Sequence, residues 1–256
     1  MTEILTTTRH GHVVELLFRN PPHNHATVEV LAAIGDALDA ADADADIRAV
    51  VLGSEGKAFC AGADLAAADG FGGSSADPLR EFYDQALRIF AAKTPMVAAI
   101  QGATIGAGLG LAVAADFRVA APDARFSANF VKLGFHPGFG LSVTLPRLIG
   151  SQRALEMMLT GDRYKPDDVA PWGLVDHIAP LADLRAEALR FANAIAVNAP
   201  LAVAATRETL RIGLVEAVRE RLIHEHRVQG VMRATEDYAE GVAAVFARRE
   251  AHFKAR

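Results

Sequence analysis

The chain has 256 residues, 51% hydrophobic and 22% charged, with a formal net charge of −5. That apolar content supplies a sizeable core and excludes general disorder, and the acidic balance excludes a general nucleic-acid binder, which needs a basic surface. A single cysteine, Cys60, excludes an internal disulfide and suits a reducing compartment. Residues 1–10 lack the charged-then-apolar order of a signal peptide, so a cytoplasmic location is expected.

A first strand is expected at residues 12–18, then a loop at 20–25 marked by its prolines and asparagines. Val28, Leu31, Ile34, Leu38 and Ala41 recur at helical spacing. The Asp/Ala run at 39–46 ends that helix and reads as a solvated face. Residues 48–54 form a buried strand, and 55–65 a loop that keeps small residues at 61–63. Residues 69–77, rich in glycine and serine, read as a mobile segment. A helix with Leu79, Phe82, Ala86 and Ile89 inward leads into residues 95–116, where strand, helix, strand, helix in alternation argues an α/β core.

Residues 95–116 carry the densest signal. Residues 96–100 read as a buried strand behind Pro95, and the small apolar residues from Gly106 onward as a buried helix, with Gly102, Gly106, Gly108 and Gly110 in or near the turn between them. Glycines admit a close neighbour, and a helix start offers unpaired N–H groups and the positive dipole end, so the turn suits negative charge. A membrane span fits the length and the small-xxx-small glycines, but Gln101 and Thr104 interrupt it and no second run exists. A dinucleotide fingerprint fails because its third glycine falls at Leu111. Spacing alone leaves tight strand–helix packing and an anion site both open.

Short strands are expected at 117–120 and 125–127, then a loop around Gly134, Pro137, Gly138 and Gly140. Helices follow to Ile149 and over 151–159 with Ser151 as cap, and residues 172–178 turn into a strand. From Leu181 the chain is helical almost to its end. Leu181, Leu184, Leu189, Ala192 and Ile195 make one stripe, Pro200 starts another helix, and Val215, Val218, Leu222, Val231, Val242, Val245 and Phe246 supply further apolar faces. Such a tail either packs on its own core or makes an oligomer contact.

Together, residues 57–65, 95–116, 134–150 and 172–176 resemble, in order and separation, the landmarks of the crotonase (enoyl-CoA hydratase/isomerase) superfamily. The resemblance implies an α/β spiral of ββα units over residues 1–196 and a C-terminal helical trimerisation region over 197–256. It implies an acyl-CoA thioester as substrate, with coenzyme A as part of that substrate and no separate cofactor or metal. It also implies a homotrimer or a dimer of trimers, with no nucleic-acid or membrane partner. In such folds two backbone N–H groups hold the thioester oxygen as it gains enolate charge, and the matching positions are Ala63 and Ala107. Ala61, Gly62, Asp64 and Leu65 would line the coenzyme A side. Arg248, Arg249 and Lys254, read as part of the last helix, are candidates for its phosphates, against an ordinary solvated basic face; of the three, Lys254 is kept.

The chain departs from the family where hydratases carry two glutamates: Gly110 and Phe130 stand there. Neither moves a proton, and each positioned acid or base is worth about 10²–10⁴ in rate. Where some isomerases and dehalogenases place an aspartate, the register puts Gly138. The expected reaction is therefore isomerisation, decarboxylation or carbon–carbon lysis rather than efficient hydration. Phe130, with Phe126, Phe135 and Phe139, suggests an apolar pocket for a bulky or cyclic acyl group. A non-catalytic acyl-CoA-binding protein on the same fold is the alternative, and a dinucleotide-dependent oxidoreductase is disfavoured.

His136 is the candidate replacement acid or base, since histidine titrates near neutrality; its competing role is a structural hydrogen bond. His23 and His25 form a His-x-His without the further ligands of a metal site. His224 and His226 flank Glu225 without metalloprotease spacing. Cys60 reads as a small core residue, Asp64 as a helix cap, and Tyr83 as facing the acyl pocket or simply packing.

Overall fold

The computed structural model describes residues 3–64, 71–73 and 76–256. β1 (Leu5–His10) pairs antiparallel with β2 (Val13–Phe18), and α1 (Val28–Ala43), β3 (Ala49–Ser54), α2 (Pro78–Ala91) and β4 (Met96–Ile100) follow. Next come β5 (Ala103–Ile105), α3 (Ala107–Ala114), β6 (Phe117–Ala120), β7 (Arg125–Ser127) and a 3-10 turn at Asn129–Leu133. Helices α4 (Leu141–Ile149), α5 (Ser151–Thr160) and the single-turn α6 (Pro166–Val169) precede β8 (His177–Ile178). The chain closes with α7 (Leu184–Ala196), α8 (Pro200–Leu210), α9 (Leu214–Arg233) and α10 (Glu236–Ala247).

Six strands form one sheet in the order β1-β2-β3-β4-β6-β8, parallel except at β1/β2. A second array runs beside it. After β2 the chain bridges Ala26 to Ala63, after β3 it bridges Cys60 to Thr104, and after β4 it forms β5, which pairs in parallel with β7. Each turn thus lays one strand in the large sheet and a short one in the second array before its helix. This is the expected spiral of ββα units.

Alternation along the strands fixes what each sheet face meets. Leu16, Val50, Leu52, Ala98 and Ile100 face one core with α1 to α4, while Val13, Val51, Val97, Ala99 and Val119 face another with α7. Both faces are covered, so the strands read as continuous apolar runs. Two charged residues interrupt them: Arg118 of β6, 2% exposed, and Glu15, 1% exposed, whose carboxylate takes two hydrogen bonds from Arg185 of α7 at 2.8 and 2.7 Å. Thr27 caps α1, and Asp77 with Pro78 starts α2.

Several expectations need correction. β1 and β5 were not foreseen. Ser151 does not cap α5: it is the first helical residue, with Gly150 as N-cap and no side-chain bond. The buried stripe of α7 is Leu184, Ala188, Ala192 and Ala196, whereas Leu181 is 62% exposed. The acidic run at the end of α1 is not merely solvated, because Asp39 pairs with Arg88 and Asp42 accepts from the Thr94 amide and hydroxyl. Arg248, Arg249 and Lys254 lie beyond the last helix. The segment read as mobile falls partly outside the described residues, as does Leu65. No single helix among the described residues is long and apolar enough to cross a membrane; α3 has only eight residues.

Candidate active site

Two segments converge through one register. Cys60 N–H donates to the Ala103 carbonyl at 2.9 Å, and Ile105 N–H to the Cys60 carbonyl at 3.0 Å. This pins Cys60 opposite Thr104 in parallel. Three residues further along each segment stand Ala63 and Ala107. Glycines permit the contact: a Cβ on Gly62 would lie 3.2 Å from the Ile105 carbonyl oxygen, and one on Gly108 would lie 2.1 Å from the Cys60 carbonyl oxygen. Gly106, at φ +55°, turns β5 into α3.

Among the described residues, neither the Ala63 nor the Ala107 N–H has a hydrogen-bond acceptor. The bridge at Ala63 is made by its neighbours, with Ala26 N–H donating to the Gly62 carbonyl at 2.9 Å. Ala107 opens α3, where no side chain caps the helix and no acid stands in the first turn. Its orphan N–H groups and dipole favour negative charge.

Both alanines line one cavity of about 550 Å³, together with Ala61, Gly62 and Asp64. Six phenylalanines line it as well: Phe71, Phe82, Phe130, Phe135, Phe139 and Phe246. Of the phenylalanines expected around an acyl group, Phe126 alone is absent from the wall; it is fully buried in β7. Phe139 fills the space beside Gly110, where a Cβ would lie 2.5 Å from the ring. Phe139 adopts φ +60°, a left-handed conformation uncommon for a bulky residue.

The candidate acid or base falls elsewhere. His136 is outside the cavity wall: its Nδ1 lies 2.7 Å from the Pro137 carbonyl and its ring 5.9 Å from that of His224. Burial lowers its pKa, with the nearby charges of His224 and Arg221 adding to the effect. The structural hydrogen bond is therefore the role its geometry fits. Lys254 is likewise away from the wall, in a cleft with Glu236, Asp237 and Glu240, its backbone N–H held by Asp237.

His23 and His25 line the cavity, and His25 Nδ1 lies 3.3 Å from the Gly62 carbonyl. No cluster of His, Cys, Asp or Glu among the described residues is built to hold a metal. Burial pushes the Cys60 thiol up to about 11, as befits a core residue. Tyr83 faces the cavity and packs as well. Burial, followed by the Glu225 charge, holds its phenol well above the usual range, so it keeps its proton.

Gln229, Asn129, Arg125 and Arg163 also line the cavity and were not singled out from the sequence. Gln229 had a readable signal. On α9 the buried positions Val218, Leu222, Glu225 and Gln229 share one helical stripe, and two polar residues on such a stripe demand partners. Glu225 accepts from the Gly140 amide at 2.8 Å and from the Ser142 amide at 3.2 Å and hydroxyl at 2.5 Å. Burial nevertheless raises its carboxyl to about 7.

Comparison with known proteins identifies the family and the fold. The family profile described as enoyl-CoA hydratase/isomerase matches residues 8–256. A probable enoyl-CoA hydratase of Mycobacterium tuberculosis is 39% identical over 202 residues, covering 78% of each chain. A crotonyl-CoA hydratase of Syntrophomonas wolfei is 32% identical over 245 residues, covering 93% of each. Among solved structures, an enoyl-CoA hydratase/isomerase from Pseudoalteromonas atlantica superposes with a TM-score of 0.89 at 31% identity, covering 98% of this chain and all (100%) of its own. A carnitinyl-CoA hydratase from Mycobacterium avium gives 0.89 at 30% identity, covering 100% of both chains.

Proposed function

Because the chain belongs to the enoyl-CoA hydratase/isomerase family of enzymes, we propose that it binds an acyl-CoA thioester and stabilises its enolate between the N–H groups of Ala63 and Ala107. The observation that supports this reading is the Cys60–Thr104 register, beyond which Ala63 and Ala107, whose N–H groups have no acceptor among the described residues, both line one cavity. Such preorganised donors act where charge develops, in a site that excludes water. Ala61, Gly62 and Asp64 line the same cavity and would hold the pantetheine arm through backbone groups. For the coenzyme phosphates, Arg163 on the cavity wall is a better-placed cation than Lys254.

The reaction we propose is isomerisation, decarboxylation or carbon–carbon lysis. Where the family's hydratases carry glutamates this chain has Gly110 and Phe130, and Phe139 fills the space a longer residue at 110 would need. Enolate stabilisation serves those reactions with fewer proton transfers than water addition. The side chains on the wall able to move a proton are His23, His25 and Asp64; Asp64 follows Ala63 directly, and His25 precedes Ala26, which pairs with Ala63. The loss of both glutamates also favours a second reading, an acyl-CoA-binding protein without turnover.

Ala107→Pro tests the proposal. Proline is tolerated at the first position of a helix and removes only an N–H that makes no intrahelical bond. Against a panel of acyl-CoA thioesters, kcat/KM should fall by about 10²–10³ with the fold retained. An unchanged rate on a turned-over substrate defeats the enolate reading. Tight thioester binding with no product across the panel selects the binding protein instead.

A further inference from the structure

Two polar side chains are buried where the cavity is otherwise aromatic. Tyr83 of α2 and Gln229 of α9 both line it, and they are 5% and 1% exposed. Phe82 and Phe139 stand beside them in edge contact, their ring centroids 5.7 Å apart. A phenol and a carboxamide in such surroundings lose their hydration, which is tolerated only when their polar atoms are bonded.

Part of that demand is met within the protein. The Tyr83 hydroxyl donates to Gln229 Oε1 at 2.7 Å, and Gln229 Nε2 donates to the His136 carbonyl at 2.7 Å. Burial raises the phenol's pKa, and the nearby Phe139 amide acts against it. A phenol oxygen also accepts and a carboxamide nitrogen carries two protons, so among the described residues Tyr83 keeps acceptor capacity and Gln229 one donor. Gly138 lets both reach the wall: a Cβ there would lie 2.2 Å from the Tyr83 oxygen and 2.6 Å from Gln229 Nε2.

We infer that Tyr83 and Gln229 form a subsite for a hydroxyl group carried on the acyl chain beyond its reacting carbons. An alcohol matches both open positions, giving its proton to the Tyr83 oxygen and accepting the Gln229 N–H. A ketone satisfies only the second, and a methylene group neither. The position follows from α3. Gly110 lies three residues, or about 4.5 Å of helix rise, beyond Ala107. Phe139 covers Gly110, and the polar pair meets Gly138, the residue before Phe139. The pair is therefore set further along the acyl chain than the amides that hold the thioester. The inference rests on the acyl-CoA reading above and names the substrate class for that site.

The test uses the full chain and acyl-CoA thioesters bearing one hydroxyl at successive carbons past the β-carbon, each beside its deoxy match. Dissociation constants are measured by calorimetry for the wild type, Tyr83→Phe and Gln229→Met, with melting temperatures as a control for folding. At one position the wild type should prefer the hydroxylated thioester by about tenfold or more. In either variant that ratio should fall towards one. A merely structural pin between α2 and α9 shifts both constants together and leaves the ratio intact, which overturns the inference. So does a wild type that shows no preference at any position. If no thioester binds at all, the acyl-CoA reading itself has failed, and that outcome is distinct from equal binding of the pair.

Discussion

Cys60 and Glu225 are both buried, and their chemistry differs because their neighbours do. The Cys60 thiol, pushed up to about 11, carries almost no thiolate at neutral pH, and the thiolate is the reactive form. A thiol reagent at pH 8 should leave the folded protein unlabelled and modify one equivalent in denaturant, read by mass spectrometry. Glu225 sits on three hydrogen-bond donors, yet burial raises its carboxyl from 4.5 to about 7. A carboxyl raised in the folded state binds more protons there than in the unfolded chain. Its contribution is therefore fully present below pH 4.5 and lost as pH rises through about 7. Glu225→Gln should flatten that decline in melting temperature between pH 4.5 and 7 relative to the wild type. The sequence displayed Glu225 only as the residue between two histidines. Its importance depends on Gly140 and Ser142, more than eighty residues away, a contact no local pattern encodes. Ala63 and Ala107 stand in contiguous segments, and it is the resemblance of those segments to the family's landmarks, not spacing alone, that singles the two residues out.

α3 and the segments around it depend on residues that lack side chains. Its first turn rests on the Cys60 carbonyl at Gly108, and its second on Phe139 at Gly110. Gly110→Ala should destabilise by about 1–3 kcal/mol through overpacking, and Phe139→Ala by about 3–5 kcal/mol through the cavity it leaves. The double variant should be more stable than the two effects added together, because each change relieves the other. Urea denaturation of the four proteins reads this directly. Elements with an apolar rhythm were readable: β4, β6 and β7 fall where expected, and α1 and α2 within a few residues. β1 was not, since Leu-Thr-Thr-Thr-Arg-His is mostly exposed and is held by its pairing with β2. β5 was hidden because three residues between glycines show no period at all. The stripe on α7 was misplaced by leucines, while small alanines do the packing against the sheet.

At the scale of the whole molecule, one helix stands apart. α8 has no buried residue, and Leu201, Leu210 and, just beyond it, Ile212 are 85%, 72% and 73% exposed. Leu201 and Leu210, nine residues apart, point to opposite sides of the helix, so large apolar side chains are exposed around it, as at surfaces that a partner covers. We expect a trimer or a pair of trimers by analytical ultracentrifugation, with Leu201→Glu combined with Leu210→Glu shifting the protein toward monomer. An unchanged sedimentation coefficient would assign that face to something else. The family was legible because its landmarks are backbone requirements spread from residue 57 to residue 176. The reaction was not, since Gly110 and Phe130 stand where the resemblance would put its proton carriers and no other motif marks a replacement. The ring of Phe139 against Gly110 has a further consequence. Placing an acid at 110 alone collides with that ring, and shrinking the ring alone opens a hole. A side chain longer than glycine at 110 is therefore accommodated only together with a smaller one at 139, so the two positions change in step.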